Sequence, residues 1–228
     1  MTKEREAVIT EFFRQDYEKS INEKMLYYDY AFPEQEVISY IRAIIATDCS
    51  LFVNFSLQTL ITENLNAAHV FQFSNVDDGT YRLCNILKSI EDPGVNYLQA
   101  GKLLLSDGKE RLDAAYRKYG ENHTKTAASL GLLHELDKIY FLTCLGKTAD
   151  LLSEEERAKL MVRLILRNTL VIKILQTAKK RRFSLRNLLC FLSDSTYKRR
   201  KSNIGTIIKK LKSSDEFDFS PFLVNIEF

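Results

Sequence analysis

The chain has 228 residues, of which 45% are hydrophobic and 28% charged, and a formal net charge of +3. This composition is typical of an ordinary folded protein, with room for one large domain or two to three small ones. No apolar run reaches the roughly 18 residues that a membrane helix needs. The longest candidate, 161–175, is interrupted by Arg163, Arg167 and Lys173. The N-terminus is charged rather than apolar, so we expect a cytoplasmic protein without a membrane segment.

The residue types that hold metals and cofactors do not cluster. The four cysteines are scattered without a C-x-x-C pair, and the three histidines have no metal-ligand spacing. Gly101-Lys102 lacks the upstream glycine and the following Ser or Thr of a phosphate loop. We therefore expect no cofactor, no metal and a reducing compartment. The small numbers of proline and glycine favour helices over a turn-rich β fold.

Residues 1–75 show helical periodicity without a recognisable motif. Two sets of apolar residues recur at helical spacing: Val8, Ile9, Phe12 and Phe13, and then, after Pro33, Val37, Ile38, Tyr40, Ile41, Ile44 and Ile45. The apolar stretch 51–60 fits either a helix or a strand. We expect an N-terminal helical region that supports the rest of the chain.

Residues 76–152 predict helices followed by a β-hairpin. Helices are expected at 80–90, 95–105, 110–119 and 123–130. Turn and breaker signals lie at 77–80 and 91–94. Gly120 is expected to end the third helix, and Asn122 is expected to cap the fourth. Alternation in 139–143 predicts a strand that could be half of a hairpin. Helices followed by a small hairpin make up a winged helix.

Residues 153–228 open with a capping box, in which Ser153 is the N-cap and Glu156 lies three residues on. A helix, a basic run, a short apolar helix at 183–189 and a Ser/Asp/Ser/Thr turn at 193–196 follow. A second basic helix comes next, as in a helix-turn-helix whose second helix faces phosphate. The tail from 213 is acidic and then apolar, and we expect it to form an edge strand or to dock on a partner.

Charge is distributed very unevenly along the chain. Between Lys173 and Lys212 there are 13 Lys and Arg residues against one acid, Asp194, so this segment is +12 and the remainder is −9. A solvated face usually mixes signs, so this asymmetry indicates nucleic acid. Duplex is favoured over single strands, because Phe183 and Tyr197 are the only aromatic rings placed for base stacking among these cations.

The predicted DNA-binding residues fall into two sets. The C-terminal set is Lys179, Lys180, Arg181, Arg182, Arg186, Ser195, Thr196, Lys198, Arg199, Arg200, Lys201 and Asn203. The turn 193–196, which contains Ser195 and Thr196, caps the second helix. Its amides and hydroxyls either face a phosphate or serve only as a cap. Asn122, His123 and Lys125 form the second set, as the exposed start of a reading helix; the alternative is a plain cap and surface residues.

A weak nuclease pattern is also present. Metal-dependent nucleases place an acid and then an acid-x-Lys on adjoining strands, which Asp92, Asp107 and Lys109 would fit if 103–105 formed a strand. Asp107-Gly108 is also a common turn dipeptide, and Asp92 lies in a breaker sequence. We therefore expect no catalytic residues.

Two segments resemble a known class of DNA-binding module. The sequence YGENHTKTAASLGL at 119–132, followed by YFLTCLG at 140–146, resembles a winged-helix module of restriction–modification and related DNA-targeting proteins. The pattern Ser-x-Ser-Thr-x-x-Arg-Arg-x-Ser-x-Ile, within 192–208, is similar to a C-terminal module of some type II restriction enzymes and their relatives. The resemblance covers 80–211. It implies a mainly α fold of tandem winged-helix or helix-turn-helix modules with small β-wings behind the N-terminal helical region.

The function that this resemblance implies is binding of double-stranded DNA. We expect a specificity or accessory component, or a regulator, of a restriction-type or phage-defence system. Its partners would be DNA and a catalytic or methyltransferase protein, with the oligomeric state open. A divergent metal-dependent DNA endonuclease is the alternative. A third class is an interaction protein whose acidic and basic halves self-associate.

Overall fold

The computed structural model describes residues 3–13, 34–72, 78–90 and 94–228, and this part of the chain is mainly helical. Its α-helices are α1 Lys3–Phe13, α2 Glu34–Ala46, α3 Cys49–Gln58, α4 Asp78–Ser89, α5 Tyr97–Leu104, α6 Asp113–Ser129, α7 Cys144–Thr148, α8 Glu154–Leu166, α9 Thr169–Lys180, α10 Leu185–Leu188, α11 Asp194–Lys212 and α12 Ser220–Leu223. Short 3₁₀ turns lie at Ala67–His69 and Ala149–Leu151. The strands are β1 Leu133–Leu136, β2 Ile139–Leu142, β3 Phe183–Ser184 and β4 Ile226–Glu227. Pro33, Asp77 and the breaker residues 91–93 lie outside the described residues.

The predicted hairpin forms between β1 and β2. The strands are antiparallel, and Leu136 pairs with Ile139 across a two-residue turn. Asp137 and Lys138 both have positive φ, 50° and 65°, as a type I′ hairpin turn requires. Val95, just before α5, pairs with Tyr140 through two backbone hydrogen bonds of 2.9 and 2.8 Å. The hairpin is therefore fixed to the start of α5.

The predicted edge strand of the tail also forms. β4 runs parallel to β3, with Phe183 opposite Ile226. The Phe183 amide donates to the Asn225 carbonyl at 2.9 Å, and Phe219 is almost fully buried. The tail therefore packs against the basic C-terminal part of the chain itself.

The prediction of two helices separated at Gly120 is wrong, because α6 runs through this position. Gly120 lies where α5 crosses α6, and a Cβ built on it would come within 1.9 Å of the Tyr97 carbonyl oxygen. Gly101 on α5 has the same role, since its Cβ would lie 1.9 Å from the Tyr116 carbonyl oxygen. Glycine here allows two backbones to approach closely instead of ending a helix. Asn122 consequently lies inside α6 and caps nothing, and the ambiguous stretch 51–60 is largely helical.

Arg163 in α8 and Arg167, the residue that follows α8, hold distant parts of the chain together. The guanidinium of Arg163 is fully buried, donates to both carboxylate oxygens of Glu216 at 3.0 and 2.8 Å, and donates to the Thr47 carbonyl. Arg167 donates to the Leu130 carbonyl at 3.0 Å and lies over the ring of Phe12. Two of the three charges that interrupt the apolar run 161–175 are thus satisfied by contacts within the protein.

One hydrophobic cluster includes residues from all three predicted parts, from Ile9 to Ile226. The predicted capping box at the start of α8 is confirmed, because Ser153 and Glu156 each accept the other's backbone N–H. The domain boundaries at 75 and 152 stay predictions. In the described part of the chain, no helix has the length and apolar character needed to cross a membrane.

Candidate nucleic-acid interface

The second helix of the predicted helix-turn-helix is α11, which has 19 residues. It begins as expected, with Ser193 accepting the Thr196 amide at 3.3 Å. Its inner side packs into the core through Arg200, Ile204, Ile207, Ile208 and Leu211. This burial fixes which side of the helix is turned to solvent.

The exposed side of α11 carries cations and hydroxyls. We call it the basic face; its members are Ser195, Lys198, Arg199, Ser202, Thr206, Lys209 and Lys212, all exposed. Steps of mostly three or four residues place them along one side of the helix. Across the described residues, its four cations have no ion pair within 4.0 Å.

Lys209 and Lys212 were absent from the predicted contact residues. Both lysines belong to the +12 segment. Their helical spacing from Lys198 and Arg199 is the sequence signal that places the four cations on one face. Lys201, a predicted contact, lies beside the basic face and is half-buried.

Arg200 and Asn203 are directed into the protein, contrary to their predicted role at DNA. Arg200 is only 8% exposed, and it donates to the Gln72 carbonyl at 2.8 Å and to the side-chain oxygen of Gln72. Asn203 donates to the same carbonyl at 3.0 Å. Burial lowers the pKa of Arg200 from its ordinary value. These two side chains fix α11 to the segment that ends at Gln72.

Arg186 also has an internal role. It donates to the carbonyls of Leu189 and Leu192 at 3.1 Å and to the Asp194 carboxylate at 2.8 Å. Its guanidinium lies 5.1 Å from the ring centre of Tyr197. Arg186 therefore holds the turn between α10 and α11, and it covers a ring that was a candidate for base stacking.

A second basic surface lies at the end of α9. Lys179, Lys180 and Arg181 are exposed there, and Arg182 is paired with Glu227 at 2.7 Å. An adjoining groove of about 530 Å³ is lined in part by Arg181 and Arg182. Cations in the last turn of a helix also stabilise its negative end, so part of their role is local.

The cap of α11 places Ser195 and Thr196 differently. Ser195 is exposed on the basic face, whereas Thr196 is half-buried and its hydroxyl and amide both bond to Ser193. Thr196 is therefore chiefly a capping residue, and Ser195 is open to a ligand.

The N-terminal set of predicted contacts is not an exposed reading surface. His123 is 2% exposed and packs 4.5 Å from the ring centre of Tyr119, so its prediction as an exposed residue is wrong. Asn122 is half-buried in the middle of α6. Lys125 remains partly exposed but pairs with Glu121 at 2.9 Å and lies over the Tyr97 ring. Of the three, Lys125 contacts α5 through Tyr97, and His123 packs within α6.

Two members of the weak nuclease pattern, Asp107 and Lys109, lie among the described residues. Leu103 and Leu104 end α5 and Leu105 follows it, so the helix predicted at 95–105 forms and the alternative of a strand at 103–105 is wrong. Asp92 lies outside the described residues. Arg111 donates to both oxygens of Asp107 at 2.6 Å and holds the pKa of that carboxyl well below its usual range. Within the described ranges, no group of three or more His, Cys, Asp and Glu side chains could hold a metal ion.

The geometry thus combines three features: a basic face on α11 whose cations have no ion pair with another described residue, a second basic surface at the end of α9, and a helix–hairpin unit formed by α4, α5, α6, β1 and β2. The chain's charge asymmetry is concentrated on the first two. No protein-family model, curated protein or solved structure matches this chain.

Proposed function

We propose that this chain binds double-stranded DNA through the basic face of α11, with added contacts from the cations at the end of α9, and that it does not cleave the duplex. The observation that carries the proposal is the basic face itself. Four cations without ion pairs in the described part of the chain lie on one side of one helix, and Asp194, in its first turn, is the helix's single acid. Cations placed in this way release counterions from a duplex, so each phosphate contact adds salt-dependent affinity.

The order of the elements supports the modular part of the proposal. In the central unit, α4, the paired residue Val95, α5 and α6 precede the β1–β2 hairpin. Helices followed by a small hairpin are the arrangement expected of a winged helix, and α10 and α11 follow as a helix-turn-helix. In this proposal the two units are tandem DNA-binding modules behind α1, α2 and α3.

The resemblance to restriction–modification modules extends the proposal to a biological role. The chain would be a cytoplasmic specificity or accessory component, or a regulator, of a restriction-type or phage-defence system. A separate catalytic or methyltransferase protein would then supply the chemistry.

Duplex binding is tested by fluorescence anisotropy with a labelled 20-base-pair duplex at two salt concentrations. We expect the double variant Lys198→Ala/Arg199→Ala to bind at least about tenfold more weakly at the lower salt. The matched control is Arg42→Ala/Lys159→Ala, which removes the same charge from α2 and α8 through two surface ion pairs of little energy. Equal affinities of the two variants would remove α11 from the interface.

The endonuclease alternative has a separate test. Plasmid incubated with the pure protein and magnesium should stay supercoiled, because Asp107 is already occupied by Arg111. Magnesium-dependent nicking that disappears in Asp107→Ala would overturn the non-catalytic proposal.

A further inference from the structure

The basic face of α11 is divided into cationic ends and a small, neutral centre. Lys198 and Arg199 lie toward one end, and Lys209 and Lys212 toward the other. The exposed residues between them are Ser202 and Thr206, and the ring of Phe228 lies beside the neighbouring Gly205. At about 1.5 Å per residue, Lys198 and Lys209 are about 16 Å apart along the helix.

This spacing matches a groove of the duplex bounded by phosphates on both sides. The major groove of B-form DNA is about 12 Å wide and admits an α-helix. Long lysine and arginine side chains at the two ends of α11 would therefore reach the phosphates of opposite strands. Small residues at the centre let the helix approach without steric hindrance.

The arginine and asparagine side chains of α11 that could read bases mostly lie outside the basic face. Bases are read chiefly by Arg, Lys, Asn and Gln, with paired hydrogen bonds from a guanidinium or amide giving the strongest discrimination. Arg200 and Asn203, the guanidinium and amide of α11's inner side, are bonded to Gln72. Arg199 is the remaining exposed guanidinium on this helix, and it lies at the edge of the central region.

We propose, on the basis of the DNA-binding function above, that α11 crosses a groove from one phosphate backbone to the other and recognises the form of the duplex without reading its sequence. The ligand class is B-form duplex DNA of any base composition. Phosphate contacts fix position and orientation on DNA but carry no sequence information directly. Of the roles proposed above, the accessory component of a restriction-type system fits this mode of binding, and sequence choice would then come from the partner protein.

Sequence independence is tested by selection from a random 20-base-pair duplex library with the full chain. We expect no enriched consensus, and affinities for AT-rich, GC-rich and mixed duplexes within about threefold of each other. Arg199→Lys keeps the positive charge but loses the two-pronged guanidinium geometry that reads guanine. If α11 contacts only phosphates, this variant should bind each duplex with an affinity within about threefold of the wild-type value. A sequence bound at least about 30-fold tighter than the others would overturn this inference and leave DNA binding intact.

The groove-crossing geometry is tested with Ser202→Glu/Thr206→Glu, which places two acids at the centre of the basic face. Its affinity for every duplex should fall at least about tenfold, because the acids would face phosphate. The matched control Gln35→Glu/Ser39→Glu adds the same two negative charges at exposed positions of α2, and circular dichroism checks the fold of both variants. Unchanged affinity in the first variant would overturn the crossing geometry alone. Failure of the wild-type protein to bind any duplex at low salt would overturn the proposed function together with this inference.

Discussion

At the residue scale, two adjacent arginines of α11 have different environments. Arg199 is exposed on the basic face, whereas Arg200 is buried and bonded to Gln72. A count of charges along the sequence gives both residues the same role. Their contacts separate them, because a buried cation must be satisfied by neighbouring oxygens.

This difference predicts opposite effects of two alanine variants. Arg200→Ala should lower the free energy of unfolding by about 1–3 kcal/mol, since the side-chain oxygen of Gln72 loses the Arg200 donor and its carbonyl keeps only Asn203. Arg199→Ala should leave the free energy of unfolding within about 0.5 kcal/mol of wild type and should weaken DNA binding instead. Urea denaturation measures the first effect and anisotropy the second. Equal stabilities for the two variants would contradict the inward placement of Arg200.

Two helical glycines predict opposite effects of the same substitution, glycine to alanine, on the stability of the protein. Gly120→Ala should destabilise the protein by about 1–3 kcal/mol or more, because the added Cβ meets the Tyr97 carbonyl of the crossing helix. Gly205→Ala should stabilise it by about 0.5–1 kcal/mol, because its Cβ would lie at an ordinary 3.5 Å from Phe228 and alanine favours the helix. Thermal unfolding of both variants tests the pair. A neutral Gly120→Ala would show that α5 and α6 do not cross as closely as described.

At the scale of elements, the cap of α8 predicts a dependence of stability on pH. The Arg42 guanidinium and the Ser153 amide hold the pKa of the Glu156 carboxyl below its usual value of 4.5. A carboxyl with a lowered pKa in the folded state stabilises the protein above its unfolded pKa and loses that contribution as the pH falls. Glu156→Gln keeps the reciprocal cap, because glutamine also accepts the Ser153 amide.

We therefore expect Glu156→Gln to lose less stability than wild type when the pH is lowered from about 6 to 3. Urea denaturation across this range measures the difference. Parallel stability curves for the two proteins would mean that the ionised carboxylate contributes nothing beyond the cap.

Local signals predicted some elements well and others poorly. The capping box of α8, the strand at 139–143 and the turn before α11 depend on neighbours in sequence, so the sequence alone was sufficient for them. The break at Gly120 was wrong because the need for glycine comes from α5, which lies elsewhere in the chain. His123 was misplaced for the same reason, since continuing α6 through Gly120 directs that side chain into the core.

In the candidate site too, features set by neighbours in sequence could be predicted and features set by distant contacts could not. The concentration of positive charge and the existence of α11 could be read directly from residues 173–212. The inward direction of Arg200 and Asn203 could not, because their partner Gln72 is more than 120 residues away in the chain. The winged-helix architecture and the role in a restriction-type system stay proposals.

At the scale of the whole molecule, the hydrophobic cluster crosses both predicted domain boundaries. Arg163 strengthens this connection by bonding the end of α2 to Glu216 near the C-terminus. We therefore expect one cooperative unfolding transition, with fluorescence and circular dichroism curves that coincide. Two separated transitions would show that the predicted parts unfold as independent units.

The four cations of α11's basic face, which have no ion pair within the described part of the chain, are proposed to contact phosphates of duplex DNA. The most direct measurement is the slope of log affinity against log salt concentration for wild type and for Lys198→Ala/Arg199→Ala/Lys209→Ala/Lys212→Ala. Each phosphate contact adds about 0.9 to the magnitude of the slope, so the variant's slope should be smaller by about 3 to 4. An unchanged slope, with the variant's fold intact by circular dichroism, would contradict the claim.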